Sequence, residues 1–498
     1  MMFKISTILF LSLIYVQSVP VTIYNNAWFN PSSNSYLLAN IYSITTLNLY
    51  SPNPPDIIKW LFDGDLNDVY GRYNGYLTNT KGQLIDNYTD LWSSPGYAGY
   101  GSAVNFGSTV YSIVDHYLYL NTTSFTISAW IWPPSNTDTE DSYSNAATED
   151  SSYFTLFSHC ETPDVDKCLH LVMKAGLLYL NFYYDDAVSN TQLNSGQWYH
   201  VAFVYDRSTS QQLIYLNGTL DASRIAKSPY IGNAHQIILG AVPPISWYPT
   251  NDGLIDELIF VSRVKNSSEI LDEATLVAYY TFDNTFNDSG PNNINNINST
   301  STKFDPNGQF NQALFFASST YSYFQTTGFY YLGQSSYSYS FSLWIYPTVI
   351  GGTILQVSCS NGWCTPMIGF NQKSYLTVQT LGKNGIYTAS YTASTLSLNQ
   401  WTHISMTYSN TNGIRLYVSG NLQGSNNNYN DYAASGTMNT ITMGNSAQWD
   451  KCTSDDTGII QSQFQGKIDE LKIYSRELSK TEVYQLSGGL LAVKQNAN

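Results

Sequence analysis

The sequence is poor in charged residues. Asp, Glu, Lys and Arg make up 11 % of the 498 residues, whereas a typical soluble domain has about 25 %. The net charge is −15, and no run of basic residues interrupts the acidic excess. Nucleic-acid binding needs clustered Lys and Arg against the phosphates, so the composition excludes nucleic acid as a partner. Solubility must come from Asn, Ser and Thr and from attached glycans.

Long apolar runs are also missing. Residues 5–16 form a short apolar stretch after Lys4, and small residues near Ser18 suit signal-peptidase cleavage. The stretch is too short to cross a bilayer, which takes about 18 residues. It predicts a signal peptide over residues 1–18, hence a secreted, extracellular protein without membrane insertion. The tail, residues 490–498, lacks the hydrophobic segment of a GPI signal.

Sequons for N-glycosylation agree with the secretory route. Six Asn residues are followed two positions later by Ser or Thr, with no intervening Pro. Such sites carry glycans on the surface of secreted proteins. The predicted glycosylation sites are Asn87, Asn121, Asn217, Asn266, Asn287 and Asn298.

Cysteines are few, and in an oxidising compartment they predict disulfides. Cys160 and Cys168 form one candidate pair, and Cys359 and Cys364 form another. Cys452 is left over, and pairing of Cys452 with one of the second pair stays open. Two histidines beside the first pair make a Cys2His2 set, but its order has no usual zinc spacing. A hairpin disulfide is therefore favoured over zinc there.

An internal repeat organises the chain. Seven blocks recur in the same order, offset by a little over 200 residues, so the two halves share one fold. The matched blocks are 60–63 with 280–283, 103–106 with 313–316, 125–133 with 339–347, 197–201 with 400–404, 213–218 with 415–420, 238–240 with 442–444, and 255–258 with 468–471.

Most blocks have the alternating pattern of β-strands. In FTISAWIWP, residues 125–133, apolar and other residues alternate with a period of two. Asn217-Gly218 and Ser419-Gly420 are typical hairpin turns. Helices are predicted only after Asn266 and after Ser479, where capping boxes occur. Many short strands with turn signals predict an all-β fold of two β-sandwich jelly rolls.

The repeat sets the predicted domain layout. Residues 19–55 form an N-terminal segment that ends in a Pro-rich linker. The first domain covers residues 56–275 and the second residues 276–489. The terminal helix of the first domain leads directly into the second, so we expect the domains to pack semi-rigidly.

The order of the blocks resembles the laminin-G-like domains of the concanavalin A-like lectin/glucanase superfamily. The resemblance rests on Phe-Asp…Asp, an AWIWP-type strand, Gln-Trp-x-His, LYLNG, and a closing IDELxxxxR strand, and it covers about residues 57–489. It implies tandem jelly rolls. It leaves function open, because the superfamily hosts lectins, adhesion modules, hydrolases and spacers.

The resemblance also implies a structural calcium site at the edge of each sandwich. Aspartates of the early and closing motifs supply carboxylate ligands, which Ca²⁺ prefers. The alternative is that they cap turns through backbone amides. The candidate ligands are Asp63, Asp68 and Asp256 in the first copy and Asp283, Asp288 and Asp469 in the second.

Aromatic residues are candidates for ligand contact, because sugar rings stack on exposed aromatic faces. Core packing is expected for Trp130 and Trp344, and a structural role for Trp198 and Trp401. The recurring His200 and His403 are interpreted as partners of buried polar groups. The predicted ligand-contacting residues are Trp132, Tyr346, Trp247, Tyr248, Trp363 and Trp449.

Catalysis has little support in the sequence. A retaining glycoside hydrolase needs two carboxylates about 5–5.5 Å apart, and no Glu-x-Asp-x-x-Glu motif occurs. Asp256-Glu257 and Asp469-Glu470 are adjacent, so on a regular strand they point to opposite faces. The acidic insertion at residues 138–150 is interpreted as a solvated loop, with calcium or partner binding as the alternative.

These observations favour a secreted, non-catalytic recognition protein that binds extracellular glycans or protein surfaces, with calcium as a structural cofactor. The alternatives are a matrix spacer without a defined ligand and a glycan-active hydrolase.

Overall fold

A computed structural model describes most of the chain after residue 55. The described residues are 56–86, 90–99, 101–107, 109–135, 153–242, 253–317, 319, 321–335, 337–360, 363–383, 385, 387–428, 431–446 and 458–489.

Among the described residues, the first copy has fifteen short strands, one α-helix and a 3-10 helix at Tyr97–Gly99. Its elements are β1 Ile57–Trp60, β2 Tyr76–Asn79, β3 Trp92–Ser93, β4 Ala103–Val104, β5 Val110–Val114, β6 Phe125–Trp132, β7 Tyr153–Cys160, β8 Cys168–Lys174, β9 Leu177–Asn181, β10 Asp186–Val188, β11 Tyr199–Asp206, β12 Gln211–Leu216, β13 Thr219–Ile225, β14 Ile237–Leu239, β15 Leu254–Val261 and α1 Ser267–Thr275.

The second copy repeats this arrangement. Its elements are β16 Leu276–Tyr280, β17 Asn296–Thr300, β18 Thr302–Asp305, β19 Ala313–Phe316, β20 Tyr323–Phe329, β21 Tyr339–Pro347, β22 Thr353–Ser358, β23 Cys364–Phe370, β24 Leu376–Leu381, β25 Tyr387–Tyr391, β26 Thr402–Ser409, β27 Gly413–Val418, β28 Asn421–Asn426, β29 Asn439–Met443, β30 Gly466–Tyr474 and α2 Lys480–Leu486.

Each copy is a sandwich of two antiparallel sheets. In the first, an eight-stranded sheet has the order β13-β12-β11-β6-β15-β4-β3, with β1 also on β15, and a seven-stranded sheet has the order β10-β9-β8-β7-β14-β5-β2. In the second, the sheets are β18-β19-β30-β21-β26-β27-β28, with β16 on β30, and β17-β20-β29-β22-β23-β24-β25. The predicted all-β class and duplication are confirmed.

Alternation along the strands separates core from outer face. On β6, Phe125, Ile127, Ala129 and Ile131 belong to the core between the two sheets. Trp130, the residue between Ala129 and Ile131, belongs to a separate aromatic cluster. Trp130 is buried, as expected. It lies on the outer face of the sheet, however, and not in the core between the sheets, where the sequence predicted it.

The predicted turns and caps are present. Asn217 and Gly218 have φ of 48° and 80°, and Ser419 and Gly420 have 46° and 76°, values that two-residue hairpins require. Asn266 and Ser479 each cap a helix by a capping box. The paired strands thus turn where the sequence predicted.

The sandwiches contact each other directly, because α1 ends at Thr275 and β16 begins at the next residue. The Ser475 amide donates to the Thr275 carbonyl at 2.8 Å. The Arg476 guanidinium donates to Thr275 Oγ1 and pairs with Asp272 at 3.2 Å. Lys59 Nζ donates to the Pro291 carbonyl of the second sandwich at 2.5 Å. These contacts fix the junction on both sides of the covalent connection.

Candidate functional site

The aspartates of the early motif lie inside tight turns. Asp68 is 2 % exposed, and its carboxylate accepts the backbone amides of Lys59 and Arg72. Asp288 is 7 % exposed, and its carboxylate accepts the amides of Tyr279, Gly290 and Ile294. Backbone amides therefore already bind the oxygens that a cation would need.

In each copy, the other two aspartates hold one loop from two sides, one from the early motif and one from the closing strand. Asp63 accepts the Ser102 amide, and Asp256 accepts the Tyr97 amide at 2.7 Å. In the second copy, Asp283 accepts the Gln312 amide. Asp469 accepts the amides of Gln309 and Phe310 at 2.8 and 3.0 Å. This arrangement places Tyr97 and Phe310 at equivalent positions.

The backbone hydrogen bonds of Asp68 and Asp288 match the turn-capping alternative, whereas the other four aspartates bind the amides of residues distant in the chain. Among the residues that the structure describes, no three His, Cys, Asp or Glu side chains lie together in a group able to hold a metal ion. Calcium at the sandwich edges stays a prediction.

A bulge follows Asp256 and Asp469 in the closing strands. Glu257 and Glu470 have φ of 50° and 54°, and the β15–β6 register shifts after Asp256. The regular alternation fails there, so the predicted opposite orientation of the adjacent carboxylates does not apply. Burial and then repulsion from Glu257 raise the pKa of Asp256 well above its usual range. Burial raises the pKa of Asp469 to about 7.

Glu257 is held by the junction between the sandwiches. Its carboxylate pairs with Lys59 Nζ at 3.0 Å, and both side chains are nearly buried. Burial raises the Glu257 pKa, while the ammonium of Lys59 opposes that rise. In the second copy, the Tyr279 hydroxyl donates to Glu470, and Lys472 lies over the Tyr279 ring at 4.4 Å. Both glutamates are thus occupied by neighbours within the protein.

Aromatic residues cover the outer face of the first eight-stranded sheet. The Tyr97 ring stacks on Trp130 with centroids 3.4 Å apart, and Trp198 meets Tyr97 edge-on at 6.0 Å and Trp132 at 5.8 Å. Tyr331 of the second sandwich packs on Tyr97 at 5.7 Å. Tyr97 and Trp130 are only 4 % and 7 % exposed. We call Tyr97, Trp130, Trp132 and Trp198 the covered aromatic surface.

The second sandwich carries the equivalent residues on its outer face. Phe310 meets Trp344 at 6.3 Å, Tyr346 meets Trp401 at 5.5 Å, and Lys467 Nζ lies 5.2 Å from the Tyr346 centroid. Phe310 is 48 % exposed, and the other three rings are half-buried. We call Phe310, Trp344, Tyr346 and Trp401 the open aromatic surface. The core position expected for Trp344 is wrong, because its ring lies on the outer face.

Amide and charged groups border the open aromatic surface. Lys467 Nζ pairs with Asp305 at 2.8 Å and donates to the Asn307 carbonyl. Asn307 and Asn311 are exposed on the loop that carries Phe310. Flat aromatic rings contact the apolar face of a ligand, and neighbouring side chains form hydrogen bonds with its polar groups. Such a surface suits amphipathic ligands such as sugars or tyrosine-bearing protein surfaces.

The two recurring histidines are buried beneath these surfaces. His200 and His403 are each 1 % exposed. A ring nitrogen of His403 hydrogen-bonds Ser342 Oγ at 2.9 Å, and Trp344 packs edge-on against His403 at 5.2 Å. Burial lowers the pKa of His200 to about 4 and that of His403 to about 3, so both are neutral and structural.

The structure confirms one of the two predicted cysteine pairs. Cys160 and Cys168 form a disulfide between the paired strands β7 and β8, which rules out zinc binding by these thiolates. Cys364 is also disulfide-bonded. Cys359 is buried, and its pairing with Cys364 stays a prediction. Cys452 lies outside the described residues.

Other predicted residues are scattered. Trp363 is half-buried against the second core, with its ring 6.3 Å from Tyr432, so it offers no open platform. The acidic insertion at residues 138–150 lies outside the described residues. So do the signal peptide and the following segment to residue 55, and Trp247, Tyr248, Trp449 and Asn87.

The sequons that are described differ in accessibility. Asn217, Asn266, Asn287 and Asn298 are exposed, whereas Asn121 is half-buried. The Asn298 amide donates to the Tyr323 hydroxyl at 3.2 Å. Glycosylation stays a prediction for all of them.

Sequence reasoning missed Tyr97, Phe310 and Tyr331. All three lie in connections outside the matched strand blocks, and the chain contains 42 tyrosines, so no single one stands out. The sequence did mark the neighbourhood of Phe310, because this residue lies only three positions before the recurring block that begins at Ala313.

Comparison with known proteins agrees with this architecture. The family model for the concanavalin A-like lectin/glucanases superfamily matches residues 106–271 and 318–484. No curated protein matches the chain. Among the described residues, no helix is long and apolar enough to cross a membrane.

Similar solved structures are distant. Domain 4 of an extracellular arabinanase from Geobacillus stearothermophilus, determined with arabinotriose, shows 22 % identity and a TM-score of 0.33, with 43 % of this chain and 98 % of that chain covered. Domains LG4-5 of the mouse laminin α1 chain show 11 % identity and a TM-score of 0.24, with 86 % and 93 % covered. The binding domain of botulinum neurotoxin serotype G shows 11 % identity and a TM-score of 0.32, with 89 % and 95 % covered. From the two family-model matches, the chain belongs to the concanavalin A-like lectin/glucanase superfamily, with two tandem laminin-G-like domains.

Proposed function

We propose that the protein is a secreted, non-catalytic recognition protein that binds an extracellular glycan or protein surface through the open aromatic surface. The observation that carries the proposal is the 48 % exposure of Phe310 above Trp344. A grouped set of exposed rings is costly to leave in water and typically marks an interaction site. The alternative hypothesis, a matrix spacer without a defined ligand, does not explain why these rings are exposed.

Extracellular location is supported by two features. The domains are laminin-G-like, and the Cys160–Cys168 disulfide suits an oxidising compartment. The predicted signal peptide and sequons point the same way.

Hydrolysis is the weaker candidate. A catalytic carboxylate must reach the substrate, but Asp256 and Glu257 are 4 % and 7 % exposed and bound by the Tyr97 amide and by Lys59. Asp469 is fully buried and holds the Phe310 loop. Their raised pKa values follow from burial at a structural bulge, so they do not indicate an acid–base pair.

The test is a glycan array probed with the full secreted chain, once with calcium and once with EDTA. Phe310→Ala should lose binding. Tyr321→Ala, which removes a ring 69 % exposed outside the open aromatic surface, should keep it. If the wild-type chain binds no glycan with calcium or with EDTA, the ligand is not a glycan of the array. If both variants bind equally, the open aromatic surface is not the binding site.

A further inference from the structure

The same aromatic surface occurs in both sandwiches, yet its central ring is covered only in the first. Trp130, Trp132 and Trp198 of the first copy match Trp344, Tyr346 and Trp401 of the second by block and position. Tyr97 and Phe310 take corresponding places, because each ring lies against the matched tryptophan and each amide donates to the closing-strand aspartate, as the Gln309 amide also does. Tyr97 is 4 % exposed and Phe310 is 48 % exposed. The ring that covers Tyr97 belongs to the neighbouring sandwich.

The covering group is a tyrosine at the end of a strand. Tyr331 begins a one-turn 3-10 helix, Tyr331–Gly333, that follows β20, and its ring lies 5.7 Å from that of Tyr97. The backbone is also close at this point, because a Cβ atom added at Gly99 would come within 3.1 Å of the Tyr330 Cβ and 3.3 Å of the Met438 Cε. The covered aromatic surface thus accepts a tyrosine turn from a sandwich of the same fold.

The first sandwich carries a tyrosine at the position of Tyr331, in a connecting turn without the 3-10 helix. Tyr117 follows β5 as Tyr331 follows β20, and each precedes its matched strand, β6 or β21, by eight residues. Tyr117 is half-buried, its hydroxyl donates to Asn233, and its ring lies 5.7 Å from that of His235. One chain therefore carries an open aromatic surface on its second sandwich and a tyrosine turn at the matching position on its first.

We infer that the open aromatic surface binds the Tyr117 turn of a second copy of this chain. The contact repeats between chains the contact that Tyr331 makes with Tyr97 within one chain. The inference rests on the proposed function, since it names the partner of the same surface. A protein partner is favoured over a glycan, because the equivalent surface of the first sandwich is occupied by a tyrosine turn.

The contact is heterologous, because the two surfaces that meet are different. Such contacts leave one free surface at each end and extend into linear assemblies unless they close into a ring. Each chain carries a net charge of −15, so repulsion opposes association at low ionic strength. Salt screens that repulsion, and association should therefore strengthen from about 10 mM to about 150 mM salt.

Sedimentation velocity of the full chain over a range of concentrations tests the inference. The wild-type chain should form dimers and longer species. Phe310→Ser, which removes the open surface, and Tyr117→Ser, which removes the turn, should each be monomeric. Tyr321→Ser is the matched control, because it removes an exposed tyrosine elsewhere, and it should associate like the wild type.

Mixing the two variants gives the decisive measurement. Phe310→Ser keeps its Tyr117 turn and Tyr117→Ser keeps its open surface, so an equimolar mixture should form a dimer and nothing larger. Because Phe310 and Tyr117 lie in different sandwiches, urea unfolding of each single variant checks separately that the substituted sandwich is still folded.

Three outcomes overturn the inference. These are a monomeric wild-type chain at about 100 µM, association that both variants leave unchanged, and a mixture that stays monomeric. If a monomeric wild-type chain binds a glycan and loses that binding on Phe310→Ser substitution, the open aromatic surface is a glycan site. The proposed function would then stand, and the self-association inference would be wrong.

Discussion

Removing the equivalent rings Tyr97 and Phe310 should affect stability very differently. Tyr97→Ala deletes a side chain that is 96 % buried between Trp130 and Tyr331, and we expect a loss of about 3–4 kcal/mol, the usual range for buried aromatics. Phe310→Ala deletes a ring that is half in water, so the expected loss is about 1 kcal/mol. Both substitutions keep the backbone amide that donates to Asp256 or Asp469.

Urea unfolding followed by tryptophan fluorescence measures the difference, since Trp130 and Trp344 lie under the two rings. The Tyr97 variant should unfold at clearly lower urea, with the transition of the first sandwich shifted. The Phe310 variant should stay within about 1 kcal/mol of the wild type. Equal losses would refute the reasoning, because they would mean that the second sandwich does not shield Tyr97 from water.

Four further predictions follow from single features. Replacing Cys160 and Cys168 by Ser should cost about 2–3 kcal/mol in urea unfolding, since the disulfide closes a short loop in the unfolded chain; an unchanged midpoint would contradict this. The folded pKa of Asp469, about 7, lies above the ordinary 3.8, so ionisation costs stability as pH rises from about 4 to 7. Wild type should therefore lose stability relative to Asp469→Asn between pH 4 and 7, by up to about 1.4 kcal/mol per pH unit, and a difference that stays constant over this range would contradict the assignment. If calcium is held at the sandwich edges, added Ca²⁺ should raise Tm and EDTA should lower it, because a hundredfold excess of Ca²⁺ over Kd adds about 2.7 kcal/mol to the free energy of unfolding; an unchanged Tm would contradict calcium binding by these aspartates. Peptide mapping of the protein should find less glycan at Asn298, whose side-chain amide donates to the Tyr323 hydroxyl, than at Asn217, Asn266 and Asn287, and full occupancy of Asn298 would be evidence against that ordering.

Much of the fold was predictable because it depends on local patterns. The period-two alternation in residues 125–133 and its copy at 339–347 predicted paired strands, and the turns at Asn217-Gly218 and Ser419-Gly420 have the positive φ angles expected of hairpins. Both capping boxes start helices. Such features depend on neighbouring residues in the chain, so one sequence is enough to find them.

The candidate site was less predictable. Alternation correctly placed Trp130 and Trp344 on the face opposite Ile131 and Ile345, but it could not show that this face is outside the core. Nor could the Asp256-Glu257 pair be oriented, because a bulge interrupts the strand. Cysteine spacing left open whether Cys359 and Cys364 pair with each other or with Cys452, and Cys452 lies outside the described residues.

The sequence by itself determined the duplication, the β-sandwich class and the positions of turns and caps, since each depends on repetition or on local conformational preference. Only the tertiary structure decided that Tyr331 of the second sandwich covers Tyr97 of the first while Phe310 stays half-exposed. The two copies carry nearly the same residues on these surfaces. What differs is packing between segments more than 200 residues apart, and no local pattern in the sequence encodes which equivalent ring faces water.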